Sequence, residues 1–575
     1  MRLLLNAAKL LPLLLLAACA GSPQKTAEPD TPPEPLRLPF SEPEAPIAEL
    51  DSDVVFSALA GEIASQRGQL DLAYRYQLQT AILAGDANAA ERATRIAMLA
   101  KQWEQALKAA ELWIDLAPND LAGRQLAASL LLQARQPGQA LEQLRAVVAI
   151  SEAKGDDGFL NAMAAVSKEQ DHELALQVMR SLESSHHDDP RAGYALALLG
   201  LIWKDYSLAE TEIQKVVQRH PGWGKGYVLL SRLHAARGDK AAARRVLEQA
   251  VDRLPEDQLL VTAYARLLVD AGEYRASYRQ FLKLERLQPG DADVYYSLGV
   301  LAMQLERSGD ARRHFRQLQT TGQRSNEVAY YLGRIEQRDE HWAEALRWYK
   351  KVADGEFHDD ARIRVAQILA QTGRLNEAQQ WLQSLRIQMP EQSVQLFILE
   401  ADILAAHAGA EQVMAVYAKA LSLHPDDENL LYARALYAAT IDRLDILETD
   451  LRRVIDLNPE NADALNALGY TLADKTERYQ EALDLVSRAM VLKPDSAAIL
   501  DSMGWIQFRL GHYQQALDYL QRALDTMPDS EIAAHLGEVL WVMGDKDRAR
   551  AVWQQMLERD PDSSHVRETI RRLDR

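Results

Sequence analysis

The chain has 575 residues, of which 65 are Lys or Arg and 83 are Asp or Glu, so its formal net charge at pH 7 is −18. This balance disfavours nucleic acid as a partner, because nucleic acid is bound through basic stripes, and it disfavours broad adsorption to anionic lipid. Cys19 is the single cysteine, so the fold cannot rely on disulfides within one chain.

Residues 1–18 are predicted to be a bacterial secretion signal. Arg2 and Lys9 supply positive charge, and residues 10–16 form an apolar core that is too short for a membrane-spanning helix of about 20 residues. Leu16-Ala17-Ala18-Cys19 resembles the lipobox of bacterial lipoproteins. This resemblance implies that Cys19 becomes the first mature residue and carries acyl chains that anchor it to a membrane. The alternative is an ordinary secretory signal followed by an incidental cysteine.

Residues 19–50 are predicted to hold the lipidated Cys19 and a disordered linker. Eight prolines lie among acidic and small polar residues. Such a composition leaves little apolar surface to bury and favours an extended chain of about 3 Å per residue. Ala20, rather than aspartate, follows Cys19, and the sorting rule of enteric lipoproteins then implies the outer membrane, facing the periplasm.

The remaining residues, 51–575, repeat about every 34 residues. A small residue recurs with steps of 33 to 35 and is replaced by a larger one in two units: Ala73, Ala106, Ala140, Ala175, Ala209, Ala243, Ser277, Ala311, Ala345, Ala378, Val413, Leu447, Ala482, Ala516 and Ala549. A proline recurs with the same period, for example at Pro221, Pro255 and Pro289. These positions define fifteen units in one register.

Residues 497–530 show how one unit is expected to fold. The first helix has Gly504 on its apolar stripe and ends at Gly511, and the second helix has Ala516 on its stripe and ends before Pro528. Gly504 and Ala516 are expected where the two helices cross, because a larger side chain at either place would push the backbones apart. Each hairpin leaves an apolar face that needs a neighbouring hairpin.

A helix–turn–helix repeat of this length, with a glycine, a small residue and a closing proline in fixed columns, is the tetratricopeptide pattern. We therefore predict an all-α, superhelical tetratricopeptide-repeat solenoid of about fifteen helical hairpins over residues 51–575. The alternative is a helical-hairpin solenoid of a slightly different repeat type. The units around Val413 and Leu447 depart from the consensus and are candidates for a bend or a partner contact.

In such solenoids the first helix of each pair lines an inner groove, where aromatic anchors among polar groups suit peptide binding. Seven side chains off the packing stripe are the candidate groove contacts: Asn466, Tyr470, Asp501, Trp505, Arg509, Glu538 and Trp541. The alternative is that Trp505, Phe508 and Trp541 pack between neighbouring units, as large aromatics often do.

No catalytic or cofactor motif stands out in the sequence. There is no Walker loop, no Gly-x-Ser-x-Gly and no His-Glu-x-x-His, and Ser151 with Lys154 lacks companion motifs. The runs 186–189 and 358–360 contain His and Asp but are interpreted as solvated turns, because no further metal ligand has a characteristic spacing. We assign no catalytic residue, no metal and no cofactor, and we expect a protein that is not an enzyme.

The resemblance extends beyond the repeat. The stretches AAERATRIAM at 89–98, ALNALGYTLAD at 464–474, ILDSMGWIQFRLG at 499–511 and IAAHLGEVLWVMGD at 532–545, together with the lipobox and the leader, resemble outer-membrane tetratricopeptide lipoproteins of the LbcA type. This resemblance implies a non-enzymatic adaptor for a periplasmic carboxyl-terminal processing serine protease. Its delivered substrates would be peptidoglycan hydrolases, and its membrane contact would be the lipid anchor alone. The alternatives are a scaffold for envelope or exopolysaccharide secretion assembly and an unrecognised enzyme.

Overall fold

A computed structural model describes residues 51–573. These residues form thirty-one α-helices and one short 3₁₀ turn and contain no strand, which confirms the predicted all-α fold. No helix in this part of the chain is long and apolar enough to cross a membrane. The signal peptide, Cys19 and the proline-rich linker lie outside the described residues, and their assignments stay predictions.

The helices pair into fifteen hairpins, as the repeat count predicts. The first helices are α1 Ser52–Gln66, α3 Ala87–Leu99, α5 Leu121–Gln133, α7 Gly158–Val166, α9 Pro190–Ile202, α11 Gly224–Ala236, α13 Gln258–Asp270, α15 Ala292–Gln304, α17 Ser325–Arg338, α19 His358–Gln371, α21 Ser393–His407, α23 Glu428–Thr440, α25 Ala462–Lys475, α27 Ala497–Arg509 and α29 Ser530–Val542. The second helices are α2 Leu70–Ala84, α4 Trp103–Leu116, α6 Pro137–Ala153, α8 His172–Ser184, α10 Tyr206–Arg219, α12 Lys240–Arg253, α14 Tyr274–Leu287, α16 Ser308–Thr320, α18 Trp342–Tyr349, α20 Leu375–Gln388, α22 Ala410–Leu423, α24 Leu444–Leu457, α26 Tyr479–Leu492, α28 Tyr513–Thr526 and α30 Lys546–Arg559. A 3₁₀ turn, Pro390–Gln392, precedes α21, and a single helix, α31 Ser564–Leu573, follows the last hairpin.

The chain divides into two compact units. The first unit ends at His220 and contains the hairpins α1 to α10, and the second begins at Pro221 and contains α11 to α31. Within each unit every hairpin packs on its sequence neighbours, so the core is a strip of apolar side chains between successive hairpins. The repeat pattern itself does not mark this division.

The fifteen-member series of small residues occupies one structural position. Each member is the fourth residue of its second helix, and each is buried, including the larger Val413 and Leu447. At the crossing in the fourteenth hairpin, a methyl group added to Gly504 would lie 2.6 Å from Leu520 Cγ and 3.2 Å from the Ala516 carbonyl oxygen. The predicted close approach of Gly504 and Ala516 is therefore confirmed.

The residues that follow the repeat's proline start the next first helix. Two positions after Pro255, the Asp257 carboxylate accepts a hydrogen bond from the Leu260 amide at 3.0 Å. Asp291 and Asp427 cap α15 and α23 in the same way. The proline ends one helix and the acid satisfies the free amides of the next, so each hairpin starts at a defined residue.

Candidate protein-binding site

The first helices of the last hairpins form a concave face. The Tyr470 hydroxyl on α25 donates a hydrogen bond to the Glu531 carboxylate on α29, with 2.9 Å between the oxygens. These helices belong to hairpins that are not neighbours, because α27 lies between them. Side chains two repeats apart meet on the side towards which the stack bends. The face that carries Tyr470 is therefore the inner side of these repeats.

All seven predicted groove residues lie on these first helices. Asn466 and Tyr470 are on α25, Asp501, Trp505 and Arg509 are on α27, and Glu538 and Trp541 are on α29. Several of them contact three residues that the sequence interpretation missed, Glu531, His535 and Arg572. The repeat period was the signal that could have found two of these, because His535 follows Asp501 by 34 positions and Arg572 follows Glu538 by 34 positions.

An ion pair and an aromatic stack join α27 to α29. His535 Nδ1 lies 3.0 Å from a carboxylate oxygen of Asp501, and the His535 ring stacks on Trp505 with ring centroids 4.3 Å apart. Burial disfavours the charged imidazole, but the carboxylates of Asp501, Glu531 and Glu538 together outweigh this effect, so the pKa of His535 is raised. The pair fixes the spacing between two successive first helices.

A second ion pair joins α29 to α31. The Arg572 guanidinium donates two hydrogen bonds to the Glu538 carboxylate, one of them at 2.6 Å. This hydrogen bonding raises the pKa of Arg572 against the opposing effect of burial. The apolar side of α31 packs on the same hairpin, where Val566 is fully buried. Helix α31 thus covers the face that the last hairpin would otherwise expose.

Arg509 and Trp541 each contact a second helix, and Arg509 also donates a hydrogen bond to the Asp474 carbonyl oxygen on α25 at 3.3 Å. Arg509 donates a hydrogen bond to the Tyr479 hydroxyl on α26 at 2.7 Å. The Trp541 ring lies 5.7 Å from the Trp553 ring on α30. Both side chains therefore help to hold first and second helices together.

The inner face of these last hairpins is largely filled by its own side chains. Asp501 and Trp505 are each 7% exposed, and Glu538 is 5% exposed. The burial of Trp505 agrees with the alternative that this side chain packs between neighbouring units. Contact between a partner and any of the seven candidate groove residues stays a prediction. Two polar atoms here, Asn466 Oδ1 and Trp505 Nε1, are buried without a hydrogen-bond partner among residues 51–573.

The two His- and Asp-containing runs lie at helix ends. His186 contacts the carbonyl oxygen of Leu182 through Nδ1, and Asp189 caps α9 through the Arg191 amide. His358 begins α19. Within residues 51–573, no group of three or more His, Cys, Asp or Glu side chains is placed to hold a metal ion.

Comparison with known proteins assigns the family. Three sequence profiles of the tetratricopeptide repeat match the chain, at residues 262–327, 472–541 and 535–563. The TPR repeat-containing protein PA4667 of Pseudomonas aeruginosa is 33% identical over 530 residues, which cover 91% of this chain and 89% of that protein. The chain belongs to the tetratricopeptide-repeat family. Tetratricopeptide repeats bind other proteins, so this repeat protein is a protein–protein interaction adaptor of a class that is typically non-enzymatic.

Two solved structures are also similar. A chain in the crystal structure of the APC/C hetero-tetramer Cut9–Hcn1 aligns with this protein at 16% identity and a TM-score of 0.32. The alignment covers 91% of this protein and 96% of the matched chain. The tetratricopeptide protein TTC0263 of Thermus thermophilus aligns with this protein at 23% identity and a TM-score of 0.26. The alignment covers 30% of this protein and 91% of TTC0263. At these scores neither structure bears on how the repeats of this protein are arranged.

Proposed function

We propose that this tetratricopeptide-repeat protein is a lipid-anchored adaptor on the periplasmic side of the outer membrane. It binds a periplasmic carboxyl-terminal processing serine protease and brings peptidoglycan hydrolases to it for degradation. The observation that carries the proposal is the inner face of the first helices in the second unit, which suits extended protein segments where it is not filled by its own side chains. The resemblance of the whole chain to LbcA-type lipoproteins supports the identity of the partners.

The adaptor acts through proximity and makes or breaks no covalent bond itself. When protease and substrate bind the same solenoid, cleavage becomes an intramolecular encounter, with an effective concentration of order millimolar for short flexible tethers. Ten hairpins in the second unit alone provide more surface than one partner needs. Separate partners therefore have room to bind at separate repeats.

A reconstituted degradation assay tests the adaptor role. Purified hydrolase is incubated with purified protease, with and without the lipid-free repeat protein, and the intact hydrolase is quantified over time. We expect hydrolase to be lost several-fold faster when the repeat protein is present. Equal rates with and without it would refute the adaptor role. Incubating the repeat protein and hydrolase without protease is the control, and hydrolase cleavage there would identify an enzyme instead.

The membrane anchor has its own test at Cys19. Cells that express the wild-type chain or Cys19→Ser are labelled with an alkyne fatty acid, and membrane and soluble fractions are compared. We expect label and membrane association in the wild type and the loss of both in the variant. Wild-type protein without fatty acid would contradict the anchor and would leave an ordinary secretory signal.

A further inference from the structure

One column of residues runs along the inner face of the second unit. It consists of the residue that follows the buried small residue at each helix crossing, and Tyr470, Trp505 and Glu538 are three of its members. The ten hairpins give Arg232, Arg266, Val300, Arg334, Gln367, Asp402, Leu436, Tyr470, Trp505 and Glu538, and Arg572 on α31 continues the column 34 positions after Glu538. Since Tyr470 lies on the concave side, the other positions of the column lie on the same side of their helices.

The two ends of this column differ in how their charges are satisfied. At the C-terminal end, Glu538 and Arg572 pair with each other. At the other end, three of the first four members are arginines, and Arg232 and Arg266 are exposed while Arg334 is half-buried. None of the three arginines forms an ion pair with a carboxylate of residues 51–573. We call Arg232, Arg266 and Arg334 the arginine row.

Aromatic rings border the arginine row. The Arg334 guanidinium lies 5.9 Å from the centroid of the Tyr330 ring. The hydroxyls of Tyr296 on α15 and Tyr331 on α17 are 3.3 Å apart, and Tyr296 also lies beneath the Arg324 guanidinium at 4.7 Å. Guanidinium groups bind carboxylates, and neighbouring tyrosine rings offer an apolar surface to the side chains that lie between the acidic residues of a bound segment.

The charge of the surrounding repeats is opposite to that of the whole chain. Residues 221–350 contain 21 Lys and Arg against 17 Asp and Glu, whereas the chain as a whole carries −18. The repeats around the arginine row therefore carry a net positive charge within an acidic protein. Such a charge favours the approach of acidic segments over basic ones.

We propose that the arginine row binds an extended, acidic segment of a partner protein. Packed helices lie roughly 8–10 Å apart, and an extended chain advances about 3.3 Å per residue. Helices α11 and α13 pack on each other, so carboxylates about three residues apart reach Arg232 and Arg266, and one further along the segment reaches Arg334. Tyr296, which is half-buried, contacts the side chains between the acids. This inference rests on the proposed adaptor function and names the chemistry of one of its partner surfaces.

A peptide-binding experiment tests the arginine row. The probe is a fluorescent 14-residue peptide with Glu at every third position and apolar residues between. Its anisotropy is titrated with the full mature chain carrying Cys19→Ala, with the same chain carrying R232Q, R266Q and R334Q, and with a chain carrying R245Q, R279Q and R316Q. Arg245, Arg279 and Arg316 are exposed on the second helices α12, α14 and α16. Their substitution removes the same number of positive charges as the arginine-row variant does. Circular dichroism checks that all chains are folded.

We expect salt-sensitive binding to the unsubstituted chain and to the second-helix variant with equal affinity. The arginine-row variant should bind at least tenfold more weakly, because about three charge pairs are lost. Equal weakening by both triple variants, or no salt-sensitive binding to the unsubstituted chain, would overturn the proposal. Stronger binding of a single-stranded oligonucleotide than of the peptide would also overturn it.

The same variants separate this inference from the proposed function. If the arginine-row variant loses the peptide but still accelerates hydrolase degradation, the row serves another acidic partner and the adaptor role stands. If the row binds no peptide while degradation is still accelerated, only this inference fails. If degradation is not accelerated by the unsubstituted chain, the proposed partners are wrong, whatever the peptide does.

Discussion

In several hairpins a glycine of the first helix lies in close contact with the second helix. Gly299 faces Phe315 and Gly333 faces Tyr349, in each case with no room for a methyl group. In the fourteenth hairpin Gly504 faces Leu520 beside the fully buried Ala516. The missing side chain lets the helices approach, and a large partner residue fills the space beside it.

Overfilling this contact should damage the protein locally. Ala516→Trp forces α27 and α28 apart and should cost roughly 1–3 kcal/mol or more. Hydrogen exchange read by mass spectrometry should show loss of protection in the C-terminal hairpins and none in the first unit. Tyr513→Trp, at an exposed position of the same helix, is the control. Loss of protection throughout the chain would contradict nearest-neighbour stabilisation.

The Asp501–His535 pair should make the C-terminal hairpins sensitive to pH. Burial lowers the pKa of His535, but the carboxylates of Asp501, Glu531 and Glu538 together raise it above its ordinary value in the folded protein. The pair therefore stabilises the folded protein fully at a pH below about 6.5, the pKa of an imidazole in the unfolded chain. This stabilisation is lost as the pH rises through the pKa of His535 in the folded protein.

This sign is tested by urea unfolding between about pH 6 and pH 9, the range around an ordinary imidazole pKa. The midpoint for the C-terminal hairpins of the wild type should fall as the pH rises. His535→Gln should be less stable at the low end and should show a flatter dependence. A midpoint in the wild type that rises with pH would show that burial of the charged imidazole dominates instead.

At the scale of the helix pair, the turn between first and second helix adopts one backbone conformation in twelve of the fifteen hairpins, with a residue of positive φ two positions after the first helix. After α27, Gly511 has φ +81° and its amide bonds to the Phe508 carbonyl, while the His512 amide bonds to the Gln507 carbonyl. Glu306 occupies the same place after α15 with φ +58° and equivalent bonds. The predicted glycine cap at Gly511 is confirmed, and other turns adopt it without glycine at a cost of roughly 1–2 kcal/mol.

Replacing such a residue with glycine should therefore stabilise its hairpin. Glu306 is exposed, so Glu306→Gly removes backbone strain and should gain about 0.5–1 kcal/mol after the greater entropy of glycine in the unfolded chain is counted. The reverse change, Gly272→Ala at φ +74°, should lose a comparable amount. Urea denaturation of both variants checks the pair, and a destabilised Glu306→Gly would show that the turn carries no strain.

The elements were predictable because their signals are local and repeated. Ala516 and its fourteen equivalents mark one position in every second helix, and Gly511 marks a turn whose geometry suits glycine. The contacts of the inner face were less predictable, since Tyr470 meets Glu531 across an intervening hairpin and Trp505 stacks on His535 of the next one. Which aromatic side chain stays accessible depends on how tightly the stack bends, and a single repeat does not contain that information.

At the scale of the molecule, each hairpin is stabilised by its neighbours, and the described residues fall into two compact units. Unfolding should therefore proceed in more than one step. In calorimetry the van't Hoff enthalpy of the mature chain should be well below the calorimetric enthalpy. Equal values would indicate a single cooperative transition and would contradict the independence of distant hairpins.

The central claim is that the inner face of the first helices binds other proteins in the cell envelope. Photocrosslinking in intact cells tests it most directly, with the photoreactive residue placed at Arg266 on the inner face of α13 or at Arg279 on the second helix α14. We expect abundant crosslinks from position 266 to a periplasmic serine protease or a peptidoglycan hydrolase, and few from position 279. Crosslinks to such proteins from position 279 alone, or from neither position, would contradict it.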